Sequence, residues 1–80
     1  MKESYSDQIL AEVVALFKER RQAKGLSHEK LAKMAKVTRP AISHIENGHR
    51  NPSLSVCLRI SEALDVSLAK IIHEAEKRAH

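Results

Sequence analysis

The chain reads as an all-α protein of five short helices, on three observations. Aromatic residues are nearly absent, Tyr5 and Phe17 being the two present, which disfavours a sheet. Apolar residues recur at spacings of three and four rather than two. Punctuation is sparse, with two glycines and two prolines in 80 residues, and serine or threonine precedes the later apolar runs.

In the first segment Ile9, Val13, Leu16 and Phe17 share a helical face, and Gly25 suits the left-handed position that closes a helix. The first helix is therefore expected from about Ser6 to Lys24. Ser27 caps a second helix of about two turns, with Glu29 early in it and Leu31, Ala32 and Ala35 on one face. Thr38 or, because a residue before proline is pushed away from the helical region, Arg39 caps a third, Thr38 being preferred; Ile42 and Ile45 repeat in it and Gly48 marks the stop. Pro40 is tolerated there because first-turn N–H groups have no intrahelical partner. Asn51-Pro52-Ser53 makes the next break. Ser53 then caps a fourth helix carrying Leu54, Cys57, Leu58, Ile60 and Leu64 and ending near Asp65. Ser67 restarts a fifth, from Leu68 to about Arg78, whose apolar set is Leu68, Ile71 and Ile72.

Length leaves room for one small domain over residues 1–80, with no separate effector domain. Leu, Ile, Val and Phe make up 20 of the 80 residues, enough for a thin core. Domains of this size bury only about 60% of their unfolded-chain surface and often gain stability by oligomerising. The single Cys57 has no disulfide partner, and no apolar run is long enough for a signal peptide or a membrane span, so a cytoplasmic protein with no membrane partner is expected. The net charge of +4 is unevenly placed. Residues 18–50 carry nine basic and three acidic side chains, a balance of +6, and the remainder five and seven, a balance of −2. A basic middle segment with acidic flanks suits docking of one face on a polyanion.

The informative stretch is HEKLAKMAKVTRPAISHIENG, two short helices about a tight turn. Its expected buried positions are Leu31, Ala35, Val37, Ile42 and Ile45, and Ala32 is small where the two helices cross. Here the sequence resembles the Cro and phage-repressor (XRE-type) helix-turn-helix domains, and is similar in size and layout to restriction-modification controller proteins. The resemblance runs from about Val13 to Ile72. It rests on Arg21 and Gly25-Leu26-Ser27 leading into Leu31-Ala32, then Ile42-Ser43, Glu46-Asn47-Gly48, Asn51-Pro52-Ser53-Leu54 and RISEALDVSL. It implies a five-helix, lambda-repressor-like DNA-binding domain whose helix-turn-helix, at about residues 28–48, is formed by the second and third helices, with residues 54–78 given to dimerisation.

In such domains the third helix enters the major groove. Carried onto this chain, Thr38, Arg39, Pro40, Ala41, Ser43 and His44 face bases, with Arg39 the long donor able to pair with guanine O6 and N7. Pro40 and Ala41 offer only apolar contact to a thymine methyl. Phosphates fall to Ser27, His28, Lys33, Asn47, His49, Arg50 and Asn51. Arg21 and Glu46 resemble the ion pair that ties the first helix to the end of the third. Two departures stand out: Lys36 where the turn usually has glycine, and Arg20 where relatives are apolar.

No catalytic chemistry is legible. His28-Glu29 and His73-Glu74 open like H-E-x-x-H, but Ala32 and Lys77 hold the fifth places, and His44, His49 and His80 lack metal-ligand spacing. No enzyme activity, cofactor, metal or small-molecule effector is expected. The last two helices carry more apolar residues than a thin core absorbs, and Leu58, Val66, Leu68, Ile71 and Ile72 are expected to meet a second copy. Leu10 and Val14, beside the core stripe of the first helix, are further candidates for that interface. The expectation is a homodimeric regulator of transcription bound to double-stranded DNA at a pseudo-palindromic operator. The alternative is an antitoxin-type interaction module that neutralises a partner protein, disfavoured because only residues 1–8 and 76–80 are expected outside the fold.

Overall fold

A computed structural model describes residues 4–79; residues 1–3 and His80 lie outside the described residues. The helices are α1 (Tyr5–Ala23), α2 (His28–Ala35), α3 (Arg39–Glu46), α4 (Leu54–Ala63) and α5 (Leu68–Arg78). All five start alike: the hydroxyl of Ser4, Ser27, Thr38, Ser53 or Ser67 accepts the N–H of the residue three positions on. Each such cap contributes about 1 kcal/mol. At α1 the Asp7 carboxylate also accepts from the Ser4 N–H at 3.4 Å, a reciprocal pair that starts the helix ahead of the expected Ser6.

The first four helices also stop alike. Gly25, Lys36, Gly48 and Asp65 adopt φ of 68°, 58°, 76° and 56°. The residue after each then donates back across the last turn: Leu26 to Arg21 O, Val37 to Ala32 O, His49 to His44 O and Val66 to Ser61 O, at 2.8–3.1 Å. Asp65 is thus the turn beyond α4 rather than its end. Leu26, Val37 and Val66, which follow these turns, pack half-buried against the core. Val37 is accordingly at the margin of the core and not within it.

The core joins Val13, Leu16 and Phe17 of α1 to Leu31, Ala32 and Ala35 of α2, Ile42 of α3, Cys57 and Ile60 of α4, Leu64, and Ile71 and Ala75 of α5. Ala32 is 2% exposed, where α2 packs on α3 and α4. Ile71 is 1% exposed, so this residue, expected at a dimer interface, is internal. It shares its helical face with Ala75, while Leu68 and Ile72 lie on the neighbouring flank. Burial pushes the Cys57 thiol up, which keeps it protonated and inert.

The last helix crosses α1. Tyr5 Oη donates to Glu76 at 3.0 Å on one flank, and Arg78 reaches Glu19 at 2.7 and 3.0 Å on the other. Arg20 stands 3.8 Å from Glu74, which gives the exposed arginine a partner on α5. Residues 5–8 and 76–78, expected outside the fold, belong to it: they continue α1 and α5, and Tyr5, Glu76 and Arg78 close the first helix on the last.

Lys36 carries left-handed strain of about 1–2 kcal/mol. Glycine there relieves it, at an opposing cost of about 0.4–1 kcal/mol from added freedom in the unfolded chain. Lys36→Gly is expected to raise stability by up to about 1 kcal/mol, read as a higher denaturant midpoint. A lower midpoint would mean that the turn holds no strain to relieve.

Candidate nucleic-acid interface

Helical periodicity divides α3 into two faces. Ala41, Ile42 and Ile45 point inward, at 8%, 2% and 3% exposure. Arg39, Pro40 and His44 are exposed, and Ser43 is half-buried on the same side. Ala41 is thus not among the outward residues, contrary to the expectation that it reads DNA: it shares the inward face with Ile45, one turn on. Thr38 is exposed, but its hydroxyl already accepts the Ala41 N–H at 3.2 Å. Asn47, just past the helix, donates to Ser43 Oγ at 3.5 Å and so extends the outward stripe by another turn.

The stripe is oriented by one carboxylate. Glu46, last residue of α3, has 6% of its side chain exposed and accepts from Arg21 through both oxygens, at 2.7 Å from Nε and 3.0 Å from Nη2. Arg21 also donates to Leu26 O at 2.7 Å, holding the α1–α2 connection. His28, first residue of α2, brings Nε2 to 3.0 Å from Glu46 Oε1, and an ionised carboxylate can only accept. Burial pushes Glu46 up most strongly, but hydrogen bonds and charge from Arg21 and His28 together outweigh it and hold the carboxyl below its usual value. Two expected phosphate contacts thus have internal duties: His28 supports Glu46, and Ser27 Oγ caps α2 by accepting the Lys30 N–H at 3.0 Å.

Around the stripe the cations have no acidic partner among the described residues. Lys30, Lys33, Lys36 and Arg39 recur at every third position through α2, the turn and the start of α3. All four are exposed, as are His49, Arg50 and Asn51 in the loop beyond α3. The sequence reading does not single out Lys30 or Lys36 as contacts; the three-residue recurrence is the signal that points to them. By contrast, Arg20, Arg21 and Arg78 on α1 and α5 each face a carboxylate. Among the described residues no group of three or more His, Cys, Asp or Glu is placed to hold a metal ion, and no helix is long and apolar enough to cross a membrane.

Two short helices about a tight left-handed turn, the second presenting a polar stripe and locked by a buried ion pair, define a helix-turn-helix unit. The chain belongs to the helix-turn-helix family, whose pattern matches residues 17–71. The fold resembles that of the restriction-modification controller protein C.AhdI from Aeromonas hydrophila, with a TM-score of 0.73 and 36% identity over 84% of this chain and 98% of that one. It also resembles the restriction-modification controller protein C.Esp1396I, described as a tetramer in complex with its natural 35 base-pair operator, at a TM-score of 0.80 and 30% identity over 96% and 97% of the two chains. A Methanocaldococcus jannaschii protein named as an HTH-type transcriptional regulatory protein is 49% identical over 55 residues. That match takes in 69% of this chain but 17% of the relative, a much longer protein.

The ion pair sets a pH signature. Because Glu46 titrates lower in the folded chain than in the unfolded one, its contribution is present above the usual glutamate value of about 4.3 and is lost as pH falls through the lowered one. Glu46→Gln is expected to remove that part of the acid destabilisation in urea unfolding from neutral to acid pH. Glu46→Ala, which strands a mostly buried Arg21, should cost about 3–5 kcal/mol. An unchanged acid slope in the Gln variant would assign the acid sensitivity to other carboxylates.

Proposed function

We propose that this chain is a sequence-specific double-stranded DNA-binding regulator of transcription, acting as a homodimer on a pseudo-palindromic operator. The observation that carries the reading is the outward stripe of α3, Arg39, Pro40, Ser43 and His44, bordered by exposed cations that face no carboxylate among the described residues. An α-helix fits the major groove, and a helix that starts with such an arginine offers the bidentate donor that guanine accepts. Lys33, Asn47, His49, Arg50 and Asn51 supply phosphate contacts that set the register. The controller-protein relative with its operator is consistent with this assignment.

A second copy is proposed to cover α4 and α5. Leu54, Leu58 and Ile72 are 68%, 52% and 36% exposed. Leu54 and Leu58 lie one turn apart on α4, as do Leu68 and Ile72 on α5, and Leu68 borders the clefts on both the Leu54 and the Leu58 sides. Together with half-buried Val66 they form one apolar face, of the kind that marks an association surface. A two-fold axis through it would set two α3 helices about 34 Å apart, one turn of DNA.

The test is selection of bound duplexes from a random pool at near-physiological salt. Enrichment of an inverted repeat with half-sites one helical turn apart is expected; no enrichment at all would move the reading to a protein-binding module. With the selected site in hand, Arg39→Ala should cost about 1–3 kcal/mol and relax preference at one base pair. Uniform weakening across all sequences would make Arg39 a phosphate contact instead. Leu58→Asp should give a folded monomer by sedimentation velocity with weakened operator binding. A wild-type chain that already sediments as a monomer at working concentration would refute the dimer.

A further inference from the structure

We propose that His44 and His49 form a protonation-dependent phosphate clamp, so that affinity for DNA rises as pH falls through the range in which histidine gains charge. The proposal rests on the DNA-binding reading above and adds a regulation to it. The turn that ends α3 sets the pair in place. Gly48 turns the chain at φ 76°, His49 N–H donates to His44 O at 2.8 Å, and the two rings stand with centroids 6.3 Å apart and planes at 49°. Both side chains are exposed.

No carboxylate among the described residues pairs with either ring, although Asp7 of α1 lines a cleft together with Gly48 and Arg50. Among the described residues neither ring has a hydrogen bond or an ion pair, and each ring's contact is with the other. Glu46 is the nearest acid along the chain, but its oxygens are taken by Arg21 from α1 and His28 from α2, the two helices packed against α3. On the loop side the next charge is the exposed Arg50, a further cation. The two rings and Arg50 thus form no ion pair with a carboxylate of the protein among the described residues. A phosphate diester of the DNA backbone supplies that missing anion. An opposite charge within about 4–6 Å favours the charged form, and each imidazolium then donates a charge-assisted hydrogen bond. DNA binding is thereby coupled to proton uptake, and histidine places the coupling between about pH 5 and 8. Because the ring centroids are 6.3 Å apart, one phosphate can face both, and both take part in the proton uptake.

The experiment measures affinity for the selected duplex by fluorescence anisotropy at constant ionic strength, from about pH 8 to about pH 6. Wild type is expected to tighten about ten-fold over that interval, which corresponds to about 1.4 kcal/mol of binding free energy. The His44→Gln/His49→Gln double variant, whatever its affinity at the higher pH, should change by less than about two-fold. His73→Gln, on the exposed side of α5, should keep the full gain, and circular dichroism at both pH values checks that each variant is folded. Wild-type affinity that is flat or falls toward low pH overturns the clamp. A double variant that keeps the gain also overturns it, and points to His28. Wild type that binds no duplex at either pH refutes instead the DNA-binding reading on which the clamp stands.

Discussion

Two other helices converge on the carboxylate of Glu46. Arg21 reaches it from α1 while also holding the backbone of the α1–α2 connection at Leu26, and His28 reaches it from the first residue of α2. A charge this enclosed is costly to desolvate, and the cost is met only because two cationic or donor groups face both of its oxygens. The geometric result is that the end of α3 cannot rotate independently of α1 or of the start of α2. The outward stripe of α3 therefore inherits its direction from an ion pair on the opposite side of the helix.

Charge is sorted between two sides of the molecule. On the side where α5 crosses α1, arginines face glutamates: Arg78 with Glu19 and Glu74, and Arg20 with Glu74. These exposed pairs contribute little stability each, but they neutralise that surface. On the side of α2, the turn and α3, the sole acidic residue from His28 to Ile45 is Glu29, and the lysines and Arg39 face no carboxylate among the described residues. The net excess of positive charge is thus presented in one direction, which is what a polyanion responds to at long range.

Much of this is legible in the sequence because it is locally encoded. The hydroxyl caps Ser27, Ser53 and Ser67 and the stops at Gly25 and Gly48 are read directly, Pro40 leaves Thr38 and Arg39 as alternative caps until the structure selects Thr38, and Lys36 marks the turn by its departure from glycine. Ser4 is harder, since Ser6 is a second hydroxyl two residues on, and Ser4 differs from it in donating its own N–H to the Asp7 carboxylate while its hydroxyl accepts the Asp7 N–H. Ala41 and Ile71 mislead for one reason: apolar character alone does not carry the helical phase, which pairs Ala41 with Ile45 and Ile71 with Ala75 on inward faces. The contacts of Tyr5 with Glu76 and of Glu19 with Arg78 have no local signal, because they arise from a crossing of the two helices farthest apart in the chain. The double duty of His28 is likewise hidden, since helix starts commonly offer donors to phosphate and only the position of Glu46 shows that this one is occupied.

The hydrogen-bonded stops that end α1 to α4 have a thermodynamic consequence. Between α2 and α3 the chain passes from Lys36 in a left-handed turn to Thr38 as a cap, with Val37 between them bonded back to Ala32 at 2.9 Å. Each residue of that joint is tied by a hydrogen bond to one of the two helices, which favours their meeting a surface as one unit. Docking then loses side-chain freedom, chiefly that of arginines and lysines, but little backbone entropy. The heat capacity change of association should accordingly follow the apolar area buried at the contact, without the larger signature of a segment that folds as it binds.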